Sequence, residues 1–183
     1  RSFVTILKAI EWYILTKNSG MRLGITGEIT LMAETGNVTI FIKTFDGFDV
    51  YVNGKMVYFP SSKAKEMLAI MVEKRGSSVS LSQMTYLLYE NIKESTAKNN
   101  LRVVFYRLWM SLMEYGIEQI LIKKRGSYAV DTEQFVCDFY EFIKGNPEFI
   151  SLFSGSYMPE YFWAEDMLPY LKNLYRKYNG VMI

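Results

Sequence analysis

Within residues 95–115 the chain sets an amide, a guanidinium, a branched aliphatic group and a phenol at Asn99, Arg102, Val103 and Tyr106, with Met110 beyond them. Steps of three and four residues put these on one side of a helix. Lys98 and Arg107 flank the row. Such a face differs from the usual Glu/Lys solvent mix. Arg and Asn suit the donor and acceptor edges of bases, Val and Met suit thymine methyls, and flanking cations suit phosphates. The rival reading is the mixed outer side of a core helix, and the helix alone leaves both open. Covalent chemistry has little to work with. The chain has no histidine and a single cysteine, which removes His-based acid–base catalysis, His-containing triads and the common zinc sites.

The elements that must hold this row are legible on either side of it. Leu101, Val104, Phe105, Leu108 and Leu112 repeat at helical spacing on the opposite face and predict the buried side. Residues 119–131 read as two short strands joined by the basic turn Lys124-Arg125-Gly126-Ser127. A helix followed by a basic hairpin is the layout of a winged helix, with the helix in a major groove and the wing against the backbone or minor groove. Asn99, Arg102, Val103 and Tyr106 are then the expected base contacts. Lys98, Arg107, Lys123, Lys124, Arg125 and Ser127 are the expected phosphate and wing contacts, with a solvated face and a solvated turn as the alternatives.

Upstream, residues 38–45 alternate, Asp46-Gly47 turns, residues 48–52 follow, and Asn53-Gly54 leads into residues 55–59. Asn-Gly is the strongest short hairpin signal, so a three-stranded antiparallel sheet is expected. Ser61 and Ser62 open a helix with Ala64, Met67, Leu68, Met71 and Val72 inward, closing at Arg75-Gly76. Ser80 caps a shorter helix over 81–89 with Met84, Leu87 and Leu88 inward. Lys63 and Lys65 read as a solvated face near the start of the first of these helices. Residues 1–18 form an amphipathic helix, and no role follows for residues 1–36.

At 183 residues and 50% hydrophobic content, the chain suits one domain with a good core, or one plus part of another. A net charge of +2 does not by itself call for nucleic acid, so clustering must supply any footprint. Residues 93–131 are predominantly basic and residues 132–166 predominantly acidic, which suggests neighbouring surfaces with different partners. The lone Cys137 excludes an internal disulfide, suits a reducing cytoplasm and reads as a buried small hydrophobe. Charged residues interrupt every apolar stretch, so no membrane span is expected. The opening Arg1 suggests a fragment or a processed chain. Gly47 to Gly54-Lys55 is too widely spaced for a phosphate loop and has Met56 where Ser or Thr is needed. Glu165 and Asp166 are adjacent and point apart on a helix, which argues against a hydrolase pair with Glu160. Tyr157, Tyr161 and Trp163, with Leu168 and Leu171, are expected to pack a tail helix onto its neighbour. The Asn37-Val38-Thr39 sequon carries no weight in a cytoplasm.

The order sheet, three helices, hairpin, together with Phe59-x-x-x-Lys63-Ala64-Lys65-Glu66-x-Leu68, Leu101-Arg102-x-x-x-x-Arg107-Leu108 and Lys124-Arg125-Gly126-Ser127-Tyr128, resembles the OmpR-type winged helix. It is similar more narrowly to SARP-type activators and SAPR-family response regulators. Cys137-Asp138-Phe139-Tyr140 and the Tyr157-Met158…Tyr161-x-Trp163-Ala164-Glu165 segment resemble the opening of the bacterial transcriptional activation domain in those regulators. The likeness runs over roughly residues 37–178. It implies an α+β fold: an N-terminal antiparallel sheet, three helices and a β-hairpin wing, then the first α-helices of a tetratricopeptide-like region. The implied division is 1–36, a helix and linker; 37–131, the DNA-binding domain; and 132–183, the start of the activation domain. The implied function is a sequence-specific DNA-binding regulator, an activator rather than an enzyme. It would use no cofactor or metal, and its partners would be double-stranded DNA, RNA polymerase through residues 90–94, and a second copy on direct repeats. Two departures stand out. Trp109 and Met110 replace basic residues usual in the family, which would lower the salt slope by up to about two. The helical tail is also shorter than the roughly three repeats such an array needs. Residues 1–36 are too few for a receiver domain. The rival function is a winged helix used for protein–protein contact, favoured by Val103, Trp109, Met110 and Met113.

Overall fold

The computed structural model describes residues 38–89 and 94–180. The helix and linker expected within 1–36 and the loop at 90–93 lie outside the described residues. In chain order the elements are β1 (Ile40–Lys43), β2 (Asp49–Val52), β3 (Lys55–Met56), α1 (Ser62–Glu73), β4 (Val79–Ser80), α2 (Leu81–Leu88) and α3 (Glu94–Met113). After a 3-10 turn at Glu118–Ile120 come β5 (Leu121–Lys124), β6 (Ser127–Val130), β7 (Val136–Cys137), α4 (Asp138–Ile143) and α5 (Pro147–Ile150). A second 3-10 segment, Phe162–Met167, leads into α6 (Leu168–Tyr178).

The Asn53-Gly54 turn has both residues at positive φ (49° and 77°), the conformation that matches the twist of paired strands. β1 and β2 pair antiparallel with Ile40 opposite Val52 and Lys43 opposite Asp49. β3 is shorter than the residues 55–59 expected: the Val57 N–H still donates to the Val50 carbonyl (2.8 Å), while the Tyr58 N–H, on the outer edge, donates to the Tyr115 hydroxyl (3.1 Å). The expected three-stranded antiparallel sheet is four-stranded and mixed, in the order β3-β2-β1-β7. β7 lies parallel to β1, Phe41 opposite Val136 and Ile42 opposite Cys137. A second sheet has the order β4-β6-β5.

Both expected helix caps form. The Ser61 side chain accepts from the Ala64 N–H, and Ser80 with Gln83 makes a reciprocal capping box. Ala64, Met67, Leu68, Met71 and Val72 are fully buried on α1, as are Leu101, Leu108 and Leu112 on α3. Each of the larger aliphatic groups contributes about 1.5–3 kcal/mol by leaving water. One continuous core joins β1 and β2, these helices, β6 and the residues of α4. Cys137 is buried, as its apolar surroundings required.

A carboxylate fastens the segment after the second hairpin to the first sheet. Asp138 is buried, and its oxygens accept from the Thr44 N–H (2.9 Å), the Thr44 hydroxyl (2.6 Å), the Phe45 N–H (3.0 Å) and the Phe139 N–H (2.7 Å). Residues 154–163 then fold over the β1–β2 turn as a strap. Ser154 donates to Asp46, the Asp46 N–H donates to the Ser156 carbonyl, and the Met158 N–H donates to the Thr44 carbonyl. Glu160 accepts from the Phe48 N–H at 2.6 Å. Tyr157 and Leu171 are buried, and Tyr161 stacks on Trp163 with centroids 5.3 Å apart, so the tail aromatics pack as their spacing suggested.

Removing the Asp138 side chain strands buried donors, each worth about 1–3 kcal/mol when unsatisfied. Asp138→Ala is therefore expected to lower unfolding free energy by about 3–5 kcal/mol, measured by urea denaturation. Asp138→Asn, which keeps one acceptor but turns an NH2 toward donors, falls between. Burial also raises the carboxyl pKa of Asp138, with hydrogen bonds from Phe45, Thr44 and Phe139 pulling it part of the way back. Burial raises Glu73 too, with Lys74 and Arg75 opposing and Asp166 reinforcing. Between the ordinary values (3.8 and 4.5) and the raised ones, the folded chain keeps protons that the unfolded chain has released. Stability is expected to fall as pH rises through that window, and Glu73→Gln to flatten the dependence of the urea midpoint on pH.

Candidate nucleic-acid interface

α3 buries the side that its apolar repeat marked and leaves the other outside. Val104 and Phe105 lie in the core beside Leu101, Leu108 and Leu112. Asn99, Arg102, Val103, Tyr106 and Arg107 are exposed, Val103 at 50% and Tyr106 at 60%. Lys98 and Met110 are half-buried. A groove of about 750 Å³ runs along this face, between Pro60 and Ser62 at the start of α1 and Val103, Tyr106 and Met110 of α3.

The hairpin stands directly beside this face. Lys123 pairs with Tyr128 and Lys124 with Ser127 across β5 and β6, and Gly126 turns between them at φ 79°. Tyr128 points inward and stacks on Phe105 (centroids 4.7 Å apart, 26° between planes). The Lys123 ammonium sits over the other ring of this pair, 5.0 Å from the Phe105 centroid. Burial raises the Tyr128 hydroxyl pKa while Arg102 lowers it, so Arg102 stands close to the junction of helix and hairpin. From the far side, Ser80 pairs with Ser127, and the Leu81 N–H donates to the Gly126 carbonyl (3.1 Å). The turn is thus held by the start of α2 and by α3 together. Lys123, Lys124 and Arg125 are exposed, and Ser127 is half-buried.

Of the expected site residues, Arg102 and Lys123 meet around the Phe105–Tyr128 stack, while Lys124 and Arg125 occupy the tip. Asn99 lies nearly one turn toward the amino end of α3. Trp109 turns partly into the core, so it is a weaker part of an exposed apolar patch than its position suggested. Lys63 and Lys65 are not simply solvated. Lys63 pairs with Glu66 and donates to the Leu88 carbonyl, and Lys65 pairs with Asp49 (2.8 Å). Sequence reasoning missed Phe105 and Tyr128 as the clamp on the hairpin. The alternation of Tyr128 with Ser127 and Ala129 was the available signal. Among the described residues, no cluster of three or more His, Cys, Asp or Glu could hold a metal ion. Among them too, no helix is long and apolar enough to cross a membrane.

No protein-family model matches the chain, and no curated protein does. A solved structure does match: Mycobacterium tuberculosis EmbR in complex with low affinity phosphopeptide, at a TM-score of 0.64 and 14% identity. The match covers 78% of this chain and 44% of that one, so this chain spans less than half the length of EmbR. The likeness is one of fold. Over the matched part, the chain shares the mixed α+β arrangement of that structure.

Phe105→Leu removes the ring between Tyr128 and Lys123 but keeps an apolar side chain. An aromatic pair contributes about 0.5–1.5 kcal/mol beyond area burial, so the amides of β5 and β6 are expected to exchange with solvent up to about tenfold faster. NMR-detected hydrogen exchange measures this, with the β1–β2 amides as the unchanged reference.

Proposed function

We propose that this chain is a sequence-specific DNA-binding transcriptional regulator of the SARP type, with an activating role, built on a winged helix. In this reading α3 enters the major groove, and the β5–β6 hairpin is the wing against backbone or minor groove. Residues 37–131 form the DNA-binding domain. Residues 132–183 begin a tetratricopeptide-like activation domain, and residues 1–36 precede both. Asn99, Arg102, Val103 and Tyr106 read base edges, while Lys98, Arg107, Lys123, Lys124, Arg125 and Ser127 meet phosphates. The observation that carries the reading is the exposed α3 face standing beside a cationic hairpin clamped to it by the Phe105–Tyr128 stack. A fold shared with EmbR supports it. The regulator works in the cytoplasm without catalysis, cofactor or metal. Two copies occupy adjacent direct repeats about one helical turn apart, and RNA polymerase is the partner of the loop ahead of α3.

A second reading has a specific observation behind it. Val103, Tyr106 and Met113 are exposed and apolar or aromatic, which suits protein–protein contact within a larger regulator. Duplexes selected from a random oligonucleotide pool separate the two. The DNA reading expects selection to converge. It further expects Arg102→Ala to weaken the selected duplex by about 1–3 kcal/mol and relax one position. Lys124→Gln is expected to weaken all duplexes alike and reduce the salt slope by about one. A pool that does not converge, with affinity indifferent to Arg102→Ala, would leave the protein-contact reading standing.

A further inference from the structure

From Trp163 to the end of α2 runs a series of polar contacts centred on one carboxylate. Trp163, at the end of the strap and in the 3-10 segment Phe162–Met167, donates its indole N–H to Glu66 Oε1 at 3.2 Å. The other oxygen, Glu66 Oε2, takes the Lys63 ammonium at 2.8 Å. The same ammonium donates to the Leu88 carbonyl at 2.9 Å, one of the last acceptors of α2 that lack a partner inside the helix. It also lies 5.9 Å from the centre of the Tyr89 ring. Tyr89 ends α2, its N–H donating to the Thr85 carbonyl (2.9 Å). Its hydroxyl pKa is raised by burial, lowered by Arg107 and raised by Glu66. Tyr89 also borders the groove along α3.

Each contact has a single geometric role. Lys63 alone would be a flexible cation on the first turn of α1. Glu66, three residues on, fixes its direction, and the indole fixes Glu66. The side chain of Glu66 is 15% exposed, against 46% for Lys63, so this ion pair is screened less than a surface pair. The strap itself is fastened to the β1–β2 turn through Ser154, Ser156, Met158 and Glu160.

We propose that Glu66 is a positioning residue for the DNA-reading helix: through it, Trp163 of the tail sets the end of α2 and hence how α3 is presented. The proposal rests on the DNA-binding reading above and adds to it a control of that site by the residues beyond 131. It implies that the tail is part of the reading unit rather than a separate appendage.

The test uses the full chain, the duplex it selects from a random pool and a mixed-sequence duplex. Trp163→Phe keeps the ring and removes the N–H; Glu66→Gln keeps the shape and removes the charge. Both are expected to speed exchange of the Tyr89 amide and of α3 amides near Leu101. Both are expected to weaken the selected duplex by about five- to tenfold, with the mixed duplex held within about twofold. Lys63→Met is expected to match them and Lys63→Arg to restore the wild-type values. Lys144→Gln, which breaks the ion pair with Glu141 away from Glu66 and the strap, should leave the ratio of the two affinities unchanged. Because Lys63 and Trp163 touch different oxygens of one carboxylate, Lys63→Met and Trp163→Phe combined should cost less than the sum of their separate effects. Unchanged exchange at Tyr89 in both Trp163→Phe and Glu66→Gln would overturn the proposal. So would faster exchange with an unaltered affinity ratio. A wild-type chain that does not discriminate the two duplexes would instead remove the DNA-binding reading, and the exchange data would still decide the positioning of α2.

Discussion

The buried carboxylate of Asp138 is the constraint on which the rest of the architecture depends. A charge of this kind is costly to remove from water, and it persists inside a protein only where donors converge on it. Here the donors belong to residues 94 and 93 positions earlier in the chain, Thr44 and Phe45. The same carboxyl stands at the first residue of α4, where the helix dipole favours negative charge. One side chain thus fixes three things together: the end of β1, the register of β7 beside it, and the direction in which α4 leaves. The strap follows from this. Once α4 is fixed, residues 154–160 meet the β1–β2 turn and use the carbonyl of Thr44 and the N–H groups of Asp46 and Phe48, none of which β1–β2 pairing consumes.

What could be read in the sequence and what could not divide along contact distance. Local signals held. Asn53-Gly54 formed its turn, Ser61 and Ser80 capped their helices, and the Leu101–Leu112 repeat faced the core because helical spacing leaves it no other choice. The basic turn at Lys124-Arg125-Gly126-Ser127 lies between paired strands. Long-range features were not legible. Val136-Cys137 is too short to announce a strand and becomes one only because β1 offers it an edge. The Tyr58 N–H, on the outer edge of β3, finds its acceptor in the Tyr115 hydroxyl, distant in sequence. Nor could spacing distinguish a solvated lysine from one that closes a helix, which is the position of Lys63. For the candidate site, the sequence marked which side chains face outward. It carried no sign of the Phe105–Tyr128 clamp that brings hairpin and helix together.

If the proposed DNA-binding reading holds, a chain of net charge +2 needs a local source of attraction to a polyanion, and the placing of its cations offers one. Lys63, Lys65 and Lys144 are occupied by Glu66, Asp49 and Glu141, so these three ion pairs lie away from the hairpin. At the hairpin, Lys123 lies over an aromatic ring, which attracts its charge without neutralising it. Lys124 and Arg125 are exposed at the tip. Because charges further apart than about 8–10 Å are screened at physiological salt, an approaching backbone responds to these groups and hardly at all to the distant carboxylates. In that reading, the two basic residues usual after Leu108 in the OmpR-type winged helices that the sequence resembles matter less than their number suggests. Trp109 spends its bulk partly in the core, and Met110 lines the groove along the exposed face of α3. The positive field is moved from the carboxyl half of the helix onto the hairpin, which the Phe105–Tyr128 stack holds against the amino half, where Arg102 stands.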